Sequence, residues 1–337
     1  MSRTLRAGLM AAMAVGLAVP GMAQDGVDPF LGRWALDLPG SGAGWLEVTN
    51  DAGWLDGSVL WYGGSVLPLD SVYLDQGTLR ATRNNKVERK DADGAVVRTQ
   101  FFADQYTLTV DGDTLSGTRV SPKSDGTGAD TTAFTGKRIP PLPSAPDLSK
   151  VKYGEAVKLF NGKDLDGWKL TGPAKNGWRA ENGVLINEPK QTEGKPKISY
   201  GNLRTVAEFE DFNLRLEVSV PPNGNSGVYL RGVYEVQVLD SFGKPVDPHN
   251  MGAVYSRIAP LASAEKPAGE WQTMDITLVD RHLTVVLNGV TIHDNVPLPG
   301  CTGGALWSDE FRPGPIYLQG DHTGVQYRNI TLRPVVK

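Results

Sequence analysis

The sequence predicts an all-β protein with two antiparallel units, a small barrel or sandwich followed by a two-sheet sandwich. The 337 residues include 40 glycines and 23 prolines, which is typical of many short strands joined by tight turns. Almost no stretch shows the 3.6-residue period of an amphipathic helix. Instead, short runs alternate between apolar and polar side chains and are separated by Gly, Asp and Asn.

The overall composition narrows the possible functions. A chain of 337 residues is long enough for two domains. The formal net charge of -4, without a long run of like charges, gives no electrostatic reason to expect nucleic acid or an anionic membrane as a partner. The one cysteine, Cys301, cannot form an internal disulfide, and we expect a buried, unreactive thiol. The oligomeric state stays open.

The amino terminus has the pattern of a secretory signal. Arg3 and Arg6 precede an apolar run from Ala7 to Val19, and Gly21-Met22-Ala23 provides small residues for cleavage. The apolar run is shorter than the ~20 residues that a membrane-spanning helix needs. We therefore expect removal of residues 1–23, a periplasmic or extracellular mature protein, and no insertion into a membrane.

Residues 24–138 predict an accessory β-domain. Roughly eight alternating runs lie between about Asp28 and Lys137, a number that suits a small barrel or sandwich. The triplet Gly32-Arg33-Trp34 resembles the start of a lipocalin-type barrel. Four prolines then fall within residues 139–150, and they exclude both a helix and a central strand. This segment is expected to be the linker between the two domains.

The second domain, residues 151–337, resumes the alternation. Asn213 to Val220 reads NLRLEVSV, with apolar side chains on one face and charged ones on the other. The run LTVVLNGVTIHDN predicts a hairpin, with Asn288-Gly289 as its type I′ turn. The segments WQTMDITL and GPIYLQG alternate in the same way. Such strands predict two stacked antiparallel sheets.

The stretch NSGVYLRGVYEVQVLDS, which runs from Asn225 to Ser241, carries an unusual polar row. Its even positions are apolar, whereas its odd positions hold Tyr229, Arg231, Glu235 and Gln237. A continuous strand, or a three-residue loop from Gly232 to Tyr234, keeps the apolar residues together. We interpret the row as the floor of a ligand site on a concave sheet face.

Further candidates lie on neighbouring segments. Glu217 has an equivalent position on a candidate strand, and Tyr317 and Gln319 form the polar face of GPIYLQG. Asn225 begins a predicted tight turn, and Asp240 ends a strand, where capping a turn is at least as good a role as catalysis. Structural roles are favoured for three other residues. Arg328 is expected to form an ion pair. Trp168 and Trp178 are expected to pack in the core, with stacking against a sugar as the alternative.

Five segments together resemble the 3-keto-disaccharide hydrolase domain family, over about Tyr153 to Val336. They are KLFNGKDLDGWKL, NSGVYLRGVYEVQVLDS, GEWQTMDITL, VVLNGV and GPIYLQGDHTGVQYRNITLRPV. The resemblance implies a concanavalin-like jelly roll that cleaves glycosides already oxidised at C3, as a 3-keto-glycoside 1,2-lyase and a 3-keto-2-hydroxy-glucal hydratase. One departure is Gly320, which separates Gln319 from Asp321-His322 and affects any role of His322.

The implied elimination needs a base, a stabiliser for the enolate and a proton donor around one sugar ring. Glu235 is our choice for the base and Glu217 the second choice. Arg231 and Gln237 are assigned either to enolate stabilisation or to binding of sugar hydroxyl groups, and His322 or Tyr229 to proton donation. No organic cofactor is predicted. The four histidines show no metal-ligand spacing, although a divalent ion beside Glu235 is left open.

Two other functions fit the same type of fold. In a laminarinase-type retaining glycosidase, Glu235 and Asp240 would act as paired carboxylates ~5–5.5 Å apart. In a non-catalytic sugar-binding module, aromatic and amide side chains would suffice. The variant Glu235→Gln tests the sugar-binding module, because only an enzyme loses turnover while it keeps sugar binding.

Overall fold

The computed structural model describes residues 26–40, 42–172 and 174–336. The predicted signal peptide, residues 1–23, lies outside the described residues. Within the described residues, no helix is long and apolar enough to cross a membrane.

The amino-terminal unit is a single antiparallel sheet that curls into a half-barrel. A short 3-10 helix at Asp28–Phe30 precedes its strands. The strands are β1 (Gly32–Asp37), β2 (Ala43–Asp51), β3 (Trp54–Pro68), β4 (Ser71–Asp75), β5 (Thr78–Lys90), β6 (Val96–Asp111), β7 (Thr114–Pro122) and β8 (Ala129–Ile139). They are ordered β3-β2-β1-β8-β7-β6-β5-β4. Trp34, whose indole N–H donates to the Phe30 carbonyl at 3.0 Å, is buried inside the curl.

The carboxyl-terminal unit follows residues 140–147, which contain neither helix nor strand, and a 3-10 helix at Leu148–Lys150. Its strands are β9 (Val157–Lys158), β10 (Trp168–Leu170), β11 (Trp178–Glu181), β12 (Val184–Asn187), β13 (Leu203–Thr205), β14 (Phe212–Ser219), β15 (Asn225–Leu230), β16 (Tyr234–Leu239), β17 (Gln272–Val279), β18 (His282–Leu287), β19 (Val290–Pro297), β20 (Tyr317–Leu318) and β21 (Val325–Pro334).

These strands form the two-sheet sandwich that the sequence predicts. The smaller sheet has the order β10-β13-β20-β15-β16, and the larger has the order β11-β12-β21-β14-β17-β18-β19, with β9 paired to β21. Alternate side chains of both sheets meet in one core, to which Val228 and Val236 contribute from the smaller sheet and Leu214 and Ile276 from the larger. The all-β prediction is therefore confirmed.

Two hairpins test the predicted registers. Asn288 and Gly289 have φ angles of 51° and 86° between β18 and β19, so the predicted type I′ turn is confirmed. Strands β15 and β16 are joined by a three-residue loop at 231–233, and Leu230 faces Tyr234. The predicted loop length is correct, but the loop begins one residue earlier than expected. The apolar residues of both strands still share the core face.

The two units share buried surface. Ala43, Trp45, Leu60 and Ile139 of the amino-terminal unit belong to the same apolar cluster as the sandwich core. The Trp45 indole N–H donates to the Pro299 carbonyl at 3.1 Å. The Arg257 guanidinium lies 4.2 Å from the centre of the Trp45 ring. Because large apolar residues are buried between them, the two units pack as one body.

Candidate active site

The predicted polar row forms the floor of a cavity of about 490 Å³ on the outer face of the smaller sheet. Side chains alternate along a strand, so the residues between the core positions point away from the core. From this sheet the cavity receives Asn225, Tyr229, Glu235, Gln237 and Tyr317, and Gln319 follows directly after β20. The other described residues that line it are Gly42, Tyr62, Gly63, Gly64, Thr171, Gly172, Asn202, Tyr255, Gly303, Gly304, Ala305, Leu306, Asp321 and His322.

Glu235 is the buried carboxyl group of this cavity, with 3% of its surface exposed. Its backbone N–H donates to Oγ1 of Thr302 at 2.9 Å, which fixes β16 against the loop that covers it. Burial raises the pKa of Glu235 to about 8. The hydrogen bond from Tyr229 opposes this shift, and the negative charge of Asp321 adds to it. Glu235 therefore gains and loses its proton close to neutral pH, as a general acid or base must.

Tyr229 connects Glu235 to the covering loop. Its hydroxyl oxygen lies 2.8 Å from Oε2 of Glu235 and 2.7 Å from the carbonyl oxygen of Gly303. A carbonyl only accepts, and the phenol has one proton to donate. Both contacts are satisfied when Tyr229 donates to Gly303 and a protonated Glu235 donates to Tyr229. Burial raises the pKa of Tyr229 well above its usual value, helped by the Glu235 charge, so Tyr229 stays a neutral phenol.

Two glycines make room for this pair, and a third allows the backbone of the amino-terminal unit to approach it. A Cβ on Gly227 would lie 2.1 Å from Oε1 of Glu235, and one on Gly304 would lie 2.5 Å from the Tyr229 hydroxyl. A Cβ on Gly303 would lie 1.9 Å from the carbonyl oxygen of Gly64 in the amino-terminal unit. Such distances exclude any larger residue without rearrangement. Backbone from three parts of the chain thus closes around the Tyr229–Glu235 pair.

The cavity also contains acceptors without a partner. Oδ1 of Asn225 and Oε1 of Gln319 are buried and accept no hydrogen bond, and both residues line the cavity. Buried polar atoms are rarely left unpaired, so these two oxygens suit the hydroxyl groups of a sugar. Asn225 lies at the start of β15, opposite Leu239. The predicted tight turn at this position is therefore wrong, because strand pairing begins there.

Asn202 and the loop after β20 form another wall. The side-chain amide of Asn202 donates to the Tyr317 hydroxyl, and its Oδ1 accepts from the backbone N–H groups of Gly320 at 2.7 Å and Asp321 at 3.1 Å. Gly320, the departure from the family pattern, is thus held in place. Nδ1 of His322 lies 2.7 Å from Oδ1 of Asp321.

Asp321 keeps its charge despite partial burial. Burial raises its pKa, but the hydrogen bond and the charge of His322 outweigh this, and the net shift is downward. The ionised carboxylate fixes Nδ1 of His322 as the protonated nitrogen, which leaves Nε2 of this half-exposed residue for other partners. His322 therefore lies at the cavity as an oriented imidazole.

Arg231 does not lie in the cavity, so its predicted role at the enolate is wrong. Its guanidinium donates to the carbonyl oxygens of Glu310 and Arg312, with 2.6 Å distances to both. Arg231 belongs to the loop between β15 and β16, where φ is 56°. Side chains alternate between the two faces of a sheet only within a strand. The odd-numbered position of Arg231 therefore does not place it on the same face as Tyr229 and Glu235.

The second choice of base, Glu217, is also wrong. Strand β14 belongs to the larger sheet, where it pairs with β17 and β21. Oε2 of Glu217 accepts from Arg328 at 2.6 Å and Oε1 accepts from Asn329 at 2.6 Å. Although burial raises the pKa of Glu217, these hydrogen bonds lower it below its usual value. Glu217 and Arg328 form a structural ion pair.

Three other candidates have structural roles. Oδ2 of Asp240 accepts from the backbone N–H of Asn223 at 2.8 Å, and Asp240 is not among the residues that line the cavity. Its predicted place at the substrate is therefore wrong, and it caps a turn. Trp168 and Trp178 are buried in the core, so neither offers a face to a sugar.

The described residues contain neither a group that could hold a metal ion nor a reactive thiol. Among the described residues, no group of three or more His, Cys, Asp or Glu side chains is arranged to hold a metal ion. Cys301 is buried, and burial raises the pKa of its thiol to about 12, so it is an unreactive thiol as predicted.

Comparison with known proteins identifies relatives of the sandwich. Residues 155–333 match the family described as the 3-keto-alpha-glucoside-1,2-lyase-like domain. A 3-keto-disaccharide hydrolase from Bacteroides thetaiotaomicron is 26% identical over 167 residues, which are 41% of this chain and 54% of that protein. The chain thus spans about half the length of this relative.

Two solved structures are also among the matches. A candidate glycosyl hydrolase from Parabacteroides distasonis is 31% identical, with a TM-score of 0.44, and the match covers 59% of this chain and 94% of that chain. The endo-beta-1,3(4)-glucanase SCLam of family GH16 is 12% identical, with a TM-score of 0.35, and the match covers 59% and 94% of the two chains.

Proposed function

The chain belongs to the 3-keto-alpha-glucoside-1,2-lyase-like domain family, and from this premise we propose that it cleaves 3-keto-glycosides by elimination followed by hydration. The observation that carries the proposal is the buried Glu235, which hydrogen-bonds a neutral phenol in a cavity with unpaired acceptors. The apolar amino-terminal segment supports a further part of the proposal, namely export of the protein to the periplasm or medium.

Glu235 is the proposed base. A ketone at C3 acidifies the proton on C2, and the Glu235 carboxylate removes it, which leaves an enolate on the ketone oxygen. With a pKa of about 8, Glu235 is basic enough to take a carbon-bound proton, and a fraction of it is ionised at neutral pH. Tyr229 accepts a hydrogen bond from Glu235 once the proton has been transferred.

Gln237 is the proposed stabiliser of the enolate, the role first assigned to it together with Arg231. Oε1 of Gln237 accepts from the backbone N–H of Val238 at 3.0 Å. The amide NH₂ is therefore the end of the side chain that remains for the substrate. A fixed N–H donor stabilises a developing oxyanion without reorganisation at the moment of reaction.

His322 is the proposed proton donor for the leaving group. Nδ1 of His322 donates to Asp321, so His322 acts as the donor in its imidazolium form, in which Nε2 also carries a proton. The glycosidic oxygen takes up this Nε2 proton as the bond to C1 breaks, which leaves a neutral imidazole. The product is an enone with a double bond between C1 and C2. Water then adds its hydroxyl to C1 and a proton returns to C2, which releases the 3-keto sugar.

The test is a turnover assay of the full chain on a 3-keto-glucoside and on its unoxidised parent, in wild type and Glu235→Gln. We expect cleavage of the oxidised sugar alone, with kcat reduced ~10²–10⁴-fold in the variant and substrate binding retained. Cleavage of the parent sugar would instead indicate an ordinary glycosidase. Binding without any turnover would indicate a sugar-binding module.

A further inference from the structure

Tyr317, Tyr229 and Glu235 form a row across three neighbouring strands. Tyr317 on β20 pairs with Tyr229 on β15, and Tyr229 pairs with Glu235 on β16. All three side chains line the cavity, and the centres of the two phenol rings are 4.5 Å apart. Because neighbouring strands lie about 4.8 Å apart, the backbones of Tyr317 and Glu235 are separated by about 10 Å. One sugar ring can therefore contact both side chains.

Asn202 fixes the direction of the Tyr317 hydroxyl. Oδ1 of Asn202 accepts from the backbone N–H groups of Gly320 and Asp321, and only the oxygen end of a side-chain amide can do so. The NH₂ end must therefore face Tyr317, and it donates to the hydroxyl oxygen. Since an amide NH₂ group accepts no hydrogen bond, the single proton of the Tyr317 hydroxyl points away from Asn202.

This proton has no acceptor among the described residues. Within them, Asn202 is the one partner of the Tyr317 hydroxyl, although only 3% of Tyr317 is exposed. Buried polar groups normally have all their strong hydrogen-bonding capacity used. The cavity that Tyr317 lines is the space in which an acceptor can lie, so a substrate oxygen there would receive this hydrogen bond.

The other tyrosines that line the cavity lack such a fixed and free proton. The hydroxyl protons of Tyr229 and Tyr62 are used in hydrogen bonds within the protein. Tyr255 makes no hydrogen bond through its hydroxyl to any described residue, so nothing fixes its direction. A donor that is already oriented loses nothing to reorganisation when charge develops on its acceptor.

Tyr317 remains a neutral phenol at the pH at which Glu235 titrates. Burial raises the pKa of Tyr317, and the charges of Asp321 and Glu235 raise it further, whereas the hydrogen bond from Asn202 lowers it. The phenol therefore keeps its proton and serves as a hydrogen-bond donor. A neutral buried phenol is well suited to the oxygen of an enolate, on which negative charge appears during the reaction.

We infer that Tyr317 is a further catalytic residue, which donates a hydrogen bond to the enolate oxygen, and that Asn202 is its positioning residue. The inference rests on the proposed function for the formation of an enolate. When Glu235 takes the proton from C2, negative charge moves to the oxygen on the neighbouring C3. This oxygen accepts the Tyr317 hydrogen bond while the phenol keeps its proton. An enolate oxygen accepts more than one hydrogen bond, so this role adds to that proposed for Gln237.

The experiment measures kcat and KM of the full chain on methyl 3-keto-glucoside. Tyr317→Phe removes the hydroxyl and keeps the ring. Asn202→Asp keeps an acceptor for the two backbone N–H groups but replaces the NH₂ group by a carboxylate oxygen, which would accept the Tyr317 proton and turn it away from the substrate. Tyr200→Phe is the matched control, because its buried hydroxyl donates to the Lys190 carbonyl at 2.9 Å and Tyr200 does not line the cavity.

We expect Tyr317→Phe to lower kcat ~10²-fold, the usual effect of losing one oxyanion donor, with KM within about threefold of wild type. Asn202→Asp should lose a similar factor, the double variant should be no slower than Tyr317→Phe alone, and Tyr200→Phe should match wild type. A rise in KM at unchanged kcat in Tyr317→Phe would overturn the catalytic role, and so would additive losses in the double variant.

The failure of this inference differs from a failure of the proposed function. If wild type cleaves the substrate and Glu235→Gln does not, while Tyr317→Phe retains the wild-type kcat, the inference alone is overturned. If wild type cleaves no 3-keto-glucoside, no enolate forms and both are overturned. Urea unfolding of each variant checks that a lower kcat does not come from a smaller folded fraction.

Discussion

Tyr229 and Glu235 face each other across neighbouring strands, with the phenol oxygen 2.8 Å from the carboxyl oxygen. The same phenol oxygen lies 2.7 Å from the Gly303 carbonyl. The protonation state of Glu235 therefore decides the direction of the hydrogen bond between them. With Glu235 protonated, Tyr229 donates to Gly303; with Glu235 ionised, Tyr229 is the donor that stabilises the carboxylate.

The first prediction concerns Tyr229→Phe. Loss of the phenol removes a hydrogen bond that lowers the pKa of Glu235, so this pKa rises further. Because the base must be ionised, we expect the ascending limb of kcat/KM against pH to move to higher pH, by roughly one unit. Tyr317→Phe is the matched control, since the Tyr317 hydroxyl binds Asn202. A shift in both variants, or in neither, would contradict the assignment.

The second prediction concerns the pH dependence of stability. A carboxyl group with a higher pKa in the folded state binds more protons when folded, so stability falls as pH rises between the two pKa values. For Glu235 this interval extends from the usual 4.5 to about 8, with a slope of at most about 1.4 kcal/mol per pH unit.

Glu235→Gln removes this titration. We expect urea unfolding to give the variant a free energy of unfolding that depends less on pH than that of wild type over the same interval. Parallel curves for the two proteins would show that Glu235 has no raised pKa in the folded state.

The third prediction concerns Gly227→Ala. The added methyl group would lie 2.1 Å from Oε1 of Glu235, so the carboxyl group must move away from its position. We expect kcat to fall at least tenfold, because small displacements of a catalytic group have large effects on rate. The measurement is a double-mutant cycle with Glu235→Gln. If Gly227 acts through Glu235, the double variant is no slower than Glu235→Gln alone; additive losses would refute this.

The fourth prediction concerns Arg231→Ala. Arg231 is 3% exposed and binds the carbonyl groups of Glu310 and Arg312. Its loss leaves buried carbonyl oxygens unpaired, and we expect the free energy of unfolding to fall by about 2–4 kcal/mol. Turnover of the methyl 3-keto-glucoside per folded molecule should stay within about twofold of wild type, well short of the ~10² that catalytic contacts supply. A selective loss of kcat at unchanged stability would return Arg231 to the active site.

The sequence was sufficient to predict which side chains share a strand face. Alternation placed Tyr229 and Glu235 together, and it placed Tyr317 and Gln319 on the same side of the sheet. It did not reveal which sheet a strand joins, because β14 alternates as regularly as β15. Glu217 was therefore assigned to the wrong sheet. Pairing between strands that are distant in sequence depends on tertiary packing, which a local pattern does not contain.

Local sequence patterns predict the loops that cover the cavity less well than they predict its floor. Thr302, Gly303 and Gly304 come about seventy residues after the polar row and follow no period. The only local sign is the closely spaced glycines of the segment PGCTGGA, which indicate a close approach of backbone without naming its partner. The partner of Gly303, Gly64, lies in the other unit, and no local pattern connects two such distant positions.

The contact between Gly64 and Gly303 also has a use in comparing sequences. No side chain fits on Gly303 while Gly64 stays in place, so a chain that joins this kind of half-barrel to this kind of sandwich must keep a glycine at that point or rebuild the junction. A glycine matching Gly303 in a homologous sandwich would then serve as a marker. It would separate genomic sequences whose sandwich is built to receive a preceding sheet from those in which the sandwich stands alone.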